Sequence, residues 1–473
     1  MQTTRRLAEF SASLTYQDIP LPIVDKAKDV ILDTIGVGLG GAGARSSRIL
    51  LDMVSQFGGV EESTVFAHPH RTSCRDAALL NGAMAHALEL EEAQTRPGHP
   101  AVAVLPAALA IAERHHLSGR ELIAAFVAGY DVHCRLAHGS IRTAMELGWH
   151  FTSVCGVFGA AAAVGRLLRL DPRHMAYALG LAGSQAAGNL LSETDGTLAK
   201  RLQPGLAAHG GVIAALLAEQ GYTGPVNVFE APRGFYDMYA REYDLDTVVE
   251  DLGHRFELAN SSLKIYPCCS FAHAAVDAAL ALVADCGLTP ADVHTIQAKV
   301  TSPAYSQACQ PLDEKRRPQN PVFAQFSIPF FVAMAICRGA IDLDPVDERT
   351  LADPEILALS DKVVPENDPD LEREYDQTGH LPVVLTAFTR GGQSYRQRVV
   401  FPKGSPQNPL SREEVRRKFE HFAAQVLSPG AVEDIVEMVS NLEGLDDVAD
   451  LCCRFTMPGR SRSYTGGLPN WSL

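Results

Sequence analysis

Apolar residues along the first half of the chain recur at the spacing of an α-helix. Between residues 23 and 35 an isoleucine or alanine returns at every fourth position, which places these side chains on one face of a helix. Ser118 and Glu121 form a capping box before a further apolar run, and Asp171-Pro172 pairs an N-cap residue with proline in the first turn. Such signals continue from about residue 18 to 221 and predict an all-helical region.

The pattern changes after about residue 265. Residues 294–301 (HTIQAKVT) alternate between apolar and polar side chains, as a half-buried strand does, and residues 326–338 have the pattern of a helix. Residues 382–388 and 394–401 flank an Arg-Gly-Gly-Gln turn, which predicts a β-hairpin. This part of the chain is therefore predicted to be an α+β unit.

After Ser411 the helical pattern returns and continues through Glu437. We therefore predict a mainly α fold, in which a large all-helical domain is discontinuous in sequence (residues 1–265 and 405–473) and a smaller α+β domain covers residues 266–404. The length of 473 residues supports two domains, since single hydrophobic cores stop growing at roughly 250–300 residues.

The formal net charge of −15 argues against binding to nucleic acid or to a membrane surface, because both would repel the protein. It does not exclude an anionic substrate, since a few nearby cations set the field inside a pocket. The N-terminal segment lacks the apolar core of a signal peptide, and the longest apolar stretch, residues 101–112, is about half a membrane span. We expect a cytoplasmic protein.

The ten cysteines include no Cys-x-x-Cys pair, so neither structural zinc nor an iron–sulfur cluster is indicated and we expect reduced thiols. The glycine-rich GVGLGGAG at residues 36–43 follows a helical run rather than a strand, so it does not predict a nucleotide site. The sequence thus predicts no cofactor.

The densest polar cluster is HALELEEAQTRPGHP, residues 86–100. Helical spacing would place His86 and Glu89 on one face, where both can turn toward a metal ion. The alternative is a solvated acidic helix end with His86 satisfied in the core, and we favour it, so the prediction is that no metal is bound. His99 follows on a Gly-Pro-flanked loop and is the better catalytic candidate.

Two further segments carry candidate residues. GWHFTS, residues 148–153, places His150 before a helix whose N-terminus suits a carboxylate; alternatively, its hydroxyl residues are simple caps and His150 is structural. Lys200 and Arg201 precede a Pro-Gly pair that is predicted to be a loop opening a helix, and they are suited to bind carboxylates unless they are merely solvated.

Lys264 in the segment SSLKIYPCCSFAH, residues 261–273, lies beside apolar residues at the predicted domain boundary. Clefts between domains are frequent ligand sites. We therefore add Lys264 to the candidates.

These four segments, in this order, resemble the MmgE/PrpD family, which includes 2-methylcitrate dehydratase, cis-aconitate decarboxylase and iminodisuccinate epimerase. The resemblance covers nearly the whole chain and implies a large helical domain, a smaller α+β domain, a homodimer, and a cofactor-independent site between the domains. It also implies site residues, which are Glu89, His99, His150, Lys200, Lys264 and, in the smaller domain, Tyr305.

One motif departs from the family pattern. The family's first motif usually reads Asp-x-Asp-Asp, whereas this chain has Glu89, Glu91 and Glu92, which extend the carboxylates by one methylene group. Because catalysis is sensitive to small displacements, this change bears on substrate identity.

The resemblance implies proton transfer at a carbon beside a carboxylate. We expect a lyase acting on a small di- or tricarboxylate, as a dehydratase or decarboxylase, with Lys200, Arg201 and Lys264 binding carboxylates and His99 and His150 moving protons. The alternatives are an epimerase of an aspartate-derived dicarboxylate and a non-catalytic carboxylate-binding protein.

Overall fold

The computed structural model describes residues 2–94 and 98–456, with backbone alone at 141–143 and 194. Within these residues the chain forms two compact units. The first contains the chain up to Leu190, Ala199–Ser261 and the residues from Ser411 on, and the second contains Leu191–Leu198 and Ser262–Leu410. The fold is mainly α, which confirms the predicted class, whereas the boundaries at residues 265 and 405 stay predictions.

Helices build the first unit. Up to residue 261 its helices are α1 (Thr3–Ser13), α2 (Leu21–Gly41), α3 (Arg45–Phe57), α4 (Cys74–Ala85), α5 (Ala101–Arg114), α6 (Gly119–His138), α7 (Ile141–Glu146), α8 (Phe151–Val154), α9 (Gly156–Leu167), α10 (Pro172–Gly183), α12 (Ala199–Glu219), α13 (Phe235–Tyr239) and α14 (Leu245–Val249). Helix α11 (Leu191–Asp195) lies between α10 and α12 in sequence but belongs to the second unit. Short 3₁₀ helices cover Tyr16–Asp18 and Glu257–Asn260, and a small antiparallel pair joins β1 (Ser63–Thr64) to β2 (Arg71–Thr72).

The start signals in the sequence coincide with helix starts in the structure. Ser118 and Glu121 form the capping box of α6. Asp171 accepts hydrogen bonds from two backbone N–H groups in the first turn of α10. These contacts satisfy N–H groups that a helix start otherwise leaves without partners.

Helices α4 and α12 pack closely because glycine lies at their contact. A Cβ atom on Gly205 would lie 2.3 Å from the carbonyl oxygen of Leu79, and one on Gly82 would lie 2.9 Å from the Cα of Gly205. Any larger residue would push the helices apart. This contact sets the end of α4 beside the first turns of α12.

The second unit combines one sheet with helices. Its elements after α11 are α15 (Ser270–Cys286), β3 (Val293–Val300), α16 (Ser302–Ala308), α17 (Leu312–Arg316), α18 (Pro321–Ala324), α19 (Ile328–Arg338), α20 (Glu348–Leu351), α21 (Pro354–Ser360), β4 (Val363–Asn367), α22 (Pro369–Thr378), β5 (Val383–Thr389) and β6 (Ser394–Val399). The strand order is β4-β3-β5-β6, with β3 and β4 parallel and the other pairs antiparallel. The predicted strand and hairpin are therefore confirmed.

The last part of the chain returns to the first unit. It forms α23 (Arg412–Ala423), α24 (Pro429–Ser440) and α25 (Ala449–Cys452), with 3₁₀ turns at Leu442–Gly444 and Cys453–Phe455. Helix α23 packs on α2 and buries Val415, Phe419 and Phe422. Among the residues that the structure describes, we find no helix with the length and apolar character of a membrane span. All ten cysteines lie within the described residues, and none of them forms a disulfide.

Candidate active site

The acidic segment after α4 is a buried turn, which we call the carboxylate turn (residues 86–92). Helix α4 ends at Ala85, and Glu89 has a φ of +60°, a value that is rare for a residue with a long side chain. His86 and Glu89 therefore do not share a helical face, which corrects the expectation from spacing. Nor is this a solvated helix end, since Glu89, Glu91 and Glu92 are at most 1% exposed.

Glu89 is held by two cations from the first turn of α12. Its two carboxylate oxygens each lie 2.9 Å from Lys200 Nζ, and Oε2 also accepts a hydrogen bond from Arg201 Nη1. The same Arg201 atom donates to the carbonyl oxygen of His86, 3.2 Å away. Lys200 and Arg201 are thus buried parts of one ion-paired group, not solvated charges.

The Pro-Gly pair after these cations lies within α12 and not in a loop, contrary to the expectation from sequence. Pro204 lies in the second turn, where it still removes the N–H that would bond to the carbonyl of Lys200. Helix α12 nevertheless continues through Pro204 to Glu219.

His86 lies at the centre of a group of three histidines. Its ring centroid is 5.1 Å from that of His99 and 5.9 Å from that of His150. Nδ1 of His86 is 3.1 Å from Glu91 Oε1, yet neither ring nitrogen makes a hydrogen bond within the described residues. Burial lowers the pKa of His86, and Lys200 adds to this effect while Glu91 opposes it.

His99 is fixed by the carboxylate turn and by α8. Its Nδ1 lies 2.8 Å from the carbonyl oxygen of Glu92 and 3.3 Å from Glu91 Oε1, and its backbone N–H donates to Thr152 Oγ1. Two acceptors therefore face Nδ1, so this nitrogen carries a proton. His99 is 9% exposed, more than either of the other two histidines of the group.

His150 is the N-cap residue of α8. Its Nδ1 lies 2.8 Å from Gln203 Oε1. Burial lowers the pKa of His150 well below the ordinary histidine value, and the nearby Lys200 and His86 lower it further. The imidazole is therefore neutral near pH 7 and has one basic nitrogen.

Glu92 is the carboxylate of the turn that contacts α5 and α6. It accepts hydrogen bonds from the hydroxyl of Tyr130 and, at 3.1 Å, from the backbone N–H of Ala101. Burial nevertheless raises its pKa to about 8, with smaller contributions from Asp33 and Glu91. This carboxyl group is thus largely protonated at neutral pH.

Sequence reasoning missed several residues that support this group. Lys418 of α23 donates to the carbonyl oxygen of Leu90 at 2.6 Å and lies 2.6 Å from Asp33 Oδ1, so the last part of the chain fixes the carboxylate turn. The sequence signal for Lys418 was its position beside the apolar face of an amphipathic helix. The sequence contains no comparable signal for Tyr130 or Gln203, because each lies in an ordinary helical pattern.

Lys264 and Tyr305 belong to the second unit. Lys264 is 2% exposed and follows Leu263, whose backbone N–H donates to the carbonyl oxygen of Gly404. Tyr305 is half-buried on α16. Their roles remain those that the resemblance implies.

Three side chains in the turn have donor atoms close enough to hold a metal ion. The atoms of His86, Glu89 and Glu91 lie within 4.8 Å of one another. Glu89, however, is already paired with Lys200 and Arg201, whose positive charges would repel a divalent ion. The electrostatics therefore favour the prediction of no metal.

Known proteins that are similar to this chain are named as cis-aconitate decarboxylases and as a 2-methylcitrate dehydratase. The cis-aconitate decarboxylase of Aspergillus terreus is 28% identical over 97% of this chain and 96% of that protein, and the human cis-aconitate decarboxylase is 28% identical over 91% of this chain and 89% of that protein. The 2-methylcitrate dehydratase of Cupriavidus necator is 25% identical over 74% of this chain and 75% of that protein.

Two family models match the chain, and the second extends beyond the second unit to include α23 and α24 of the first unit. The MmgE/PrpD N-terminal domain matches residues 5–247, and the MmgE/PrpD C-terminal domain matches residues 266–444. Together with the full-length relatives, these matches show that the chain belongs to the MmgE/PrpD family.

Proposed function

We propose that this protein is a lyase that acts on a small di- or tricarboxylate, with no organic cofactor or metal. The main supporting observation is that the rings of His99 and His150 lie 5.1 Å and 5.9 Å from the ring of His86. The buried group formed by Glu89, Lys200 and Arg201 begins three residues after His86. Proton-transfer groups and anion-binding groups are thus available within one part of the first unit. The relatives are a decarboxylase and a dehydratase by name, both lyases, which supports the same reaction class.

The cations bind the carboxylates of the substrate in this proposal. Lys200 and Arg201 share Glu89, so the three side chains have a net charge of +1. Because Glu89 fixes the direction of both cations, a substrate carboxylate meets preorganised charge, which usually contributes more than any other effect to stabilising a transition state. Lys264 and Tyr305 of the second unit stay substrate-binding candidates on the family resemblance alone.

The histidines move the proton at the carbon beside the carboxylate. A histidine contributes about 10²–10⁴-fold in rate as a general acid or base. His150 is neutral at pH 7, since the pKa of its imidazole is lowered by burial, Lys200 and His86. It therefore suits the role of base, while His99, whose Nδ1–H is held by two acceptors, is proposed as its partner.

The bond that breaks beside this carbon decides the product. Loss of carbon dioxide leaves an electron pair on the carbon skeleton, which takes up a proton from His99 acting as acid, and gives a decarboxylase. Removal of the proton by His150 with loss of hydroxide from the adjacent carbon gives a dehydratase, and return of that proton to the opposite face gives an epimerase. We favour decarboxylation of an aconitate-like tricarboxylate, because the relatives that match over more than nine-tenths of this chain are cis-aconitate decarboxylases. The epimerase and the non-catalytic carboxylate-binding protein are the alternatives.

Proton NMR in deuterium oxide distinguishes these reactions. The protein is incubated with aconitate-like, citrate-like and aspartate-derived acids, and we expect carbon dioxide release with deuterium incorporated into the product of the aconitate-like acid. A new alkene signal from a citrate-like acid would indicate a dehydratase, and exchange without net loss would indicate an epimerase. Binding in a thermal-shift screen without turnover of any acid would contradict the proposal.

Prolonged dialysis against a metal chelator tests the proposed independence from metals. Activity is expected to be unchanged, because the charges around Glu89 disfavour a divalent ion. Loss of activity that is restored by one divalent metal would overturn this part of the proposal. The predicted homodimer is checked by light scattering in the same samples.

A further inference from the structure

Gln203 joins His150 to a neighbouring segment of backbone, and the proposed function gives it no role. Its Oε1 lies 2.8 Å from His150 Nδ1, and its Nε2 donates to the carbonyl oxygen of Asn189, 2.9 Å away. Both contacts lie within the first unit. Gln203 is 8% exposed and His150 is 5% exposed.

The orientation of the Gln203 amide follows from its two contacts. The carbonyl of Asn189 can only accept, so the NH₂ group of Gln203 must point to it. The amide oxygen then faces His150, and because this oxygen cannot donate, Nδ1 of His150 must carry the proton. The opposite orientation would place two oxygens against each other at Asn189 and is disfavoured.

The surrounding backbone is built to accept this amide. Gly188 has a φ of +136°, and a Cβ atom there would lie 2.7 Å from Gln203 Oε1 and 2.8 Å from the Cβ of Ser153. The hydroxyl of Ser153 donates to the backbone carbonyl oxygen of Gln203 at 3.0 Å, and the backbone N–H of His150 donates to the carbonyl oxygen of Gly188. The ring and the amide are therefore positioned by the same segment.

We propose that Gln203 is a positioning residue that holds His150 in the Nδ1–H tautomer and leaves the Nε2 lone pair as the proton acceptor. Assigning the substrate proton to Nε2 rests on the proposed function, whereas the tautomer does not. Lys200, His86 and His99 face the same ring. All three disfavour a second proton on it, so the tautomer of the neutral ring decides which nitrogen is basic.

NMR of ¹⁵N-histidine-labelled protein without substrate tests the tautomer directly. The His150 signals are assigned by their loss in His150→Asn. We expect the Nδ1–H pattern in the wild type, with no such pattern or a mixture of tautomers in Gln203→Met, which keeps the length but removes the acceptor. An Nε2–H pattern in the wild type would overturn the proposal, even if the variants fail to fold.

The pH dependence of kcat/KM is the second readout. Gln203→Glu places a carboxylate beside Nδ1–H and raises the pKa of His150, so the acidic limb of the profile is expected to move up by about one pH unit or more. Gln203→Met is expected to lower kcat about tenfold or more with little change in KM, since it disturbs base orientation more than binding.

Gln185 provides the matched control. Its Nε2 also donates to a backbone carbonyl, that of Gly210 at 3.1 Å, and this contact lies away from the histidine rings. Gln185→Glu and Gln185→Met should leave the pH profile and the His150 signals unchanged. Unaltered profiles in both Gln203 variants would contradict the positioning role; the Nδ1–H tautomer without turnover of any acid would contradict the proposed function alone.

Discussion

Two buried charge clusters of the first unit differ in how completely their groups are satisfied. The first, the Arg135 cluster, lies on the regular helix α6. Arg135 is fully buried and contacts Asp131 at 2.5 Å, while its other nitrogens donate to the carbonyl oxygens of Glu250 and Arg255, each at 2.6 Å. Asp131 also accepts a hydrogen bond from the backbone N–H of Glu257.

The second cluster is the carboxylate turn, and it is built differently. Glu89 has a left-handed backbone conformation, Nε2 of His86 lacks a hydrogen bond within the described residues, and burial raises the pKa of Glu92 to about 8. Burial also raises the pKa of Asp131, to about 6, so a shifted carboxyl group is common to both clusters. The strained backbone distinguishes the turn and is typical of functional sites, whereas a fully bonded pair on a regular helix is typical of structure. We therefore expect substitutions in the turn to affect turnover and substitutions at Arg135 to affect stability.

His150→Asn should have the largest effect on activity. Asparagine keeps an N–H donor in the place of Nδ1 and removes Nε2, so kcat is expected to fall about 10²–10⁴-fold, with the midpoint of thermal unfolding little changed. Steady-state rates and thermal unfolding measure the two quantities. The exposed His254 provides the control as His254→Asn, and a loss below about tenfold would exclude His150 as base.

Arg135→Met should have the largest effect on stability. It leaves Asp131 buried without its cation, which costs roughly 3–5 kcal/mol in the free energy of unfolding, while the activity of the remaining folded protein should be close to that of the wild type. Urea unfolding and activity at low temperature test this expectation.

The pair Arg5–Glu9 is the control for Arg135. It has the same i, i+4 spacing at 2.7 Å, but its side chains are 64% and 46% exposed. Arg5→Met should therefore cost less than about 1 kcal/mol. Equal losses in the two variants would contradict the contrast between a buried and an exposed pair.

Glu92→Gln should change the pH dependence of stability. Because the pKa of Glu92 is raised from 4.5 to about 8 in the folded state, the folded protein binds more protons than the unfolded protein between these values. Stability is thus fully present below about pH 4.5 and is lost as the pH rises toward 8. Glutamine is neutral throughout, so it should reduce the loss between pH 6 and 8 by about 2 kcal/mol.

Urea unfolding at pH 6 and pH 8 measures this difference. Asp131, with a pKa raised by burial to about 6, contributes equally to the wild type and the variant and therefore cancels. The exposed Glu437 provides the control as Glu437→Gln. An unchanged slope in Glu92→Gln would show that Glu92 is ionised in the folded protein.

Much of the fold could be predicted because its signals are local. The capping residues Ser118 and Asp171, the alternation in β3 and the hairpin turn are each encoded within a few residues, and the structure contains each element. The return of the last helices to the first unit was also indicated by a change of pattern at Ser411. Capping and periodicity depend on neighbours in sequence, so one chain is enough to detect them.

The candidate site was predictable only in part, because its geometry depends on distant partners. The residues of the four motifs could be named, but the end of α4 at Ala85 follows from packing and the left-handed Glu89 from its contacts to α12. Lys418 reaches the turn across 328 positions of sequence, and Gln203 shows its role only through the atoms beside it. Local periodicity carries no information on such contacts.

Glu89→Asp should have the smallest effect of these substitutions on stability, because it relieves backbone strain but weakens an ion-paired group. Aspartate tolerates the left-handed region better than glutamate, which would relieve strain of about 1 kcal/mol. The shorter side chain, however, cannot keep both Lys200 and Arg201 in contact from the same backbone position. Catalysis is sensitive to small displacements of charged groups, so kcat/KM should fall about 10–100-fold. The relieved strain and the lost contact oppose each other in stability, so the unfolding midpoint should stay nearly constant.

The reverse exchange in the Arg135 cluster completes the contrast. Asp131→Glu lengthens a carboxylate in a fully packed position, so it should destabilise the fold by about 1–3 kcal/mol and leave kcat/KM per folded molecule unchanged.

Glu89→Asp is also informative about the substrate, because aspartate is the residue that the family resemblance implies at this position. If the activity of Glu89→Asp rises with one acid and falls with another, the extra methylene of Glu89 selects the substrate. Equal activity with every acid would show that Glu89 only holds the cations in place.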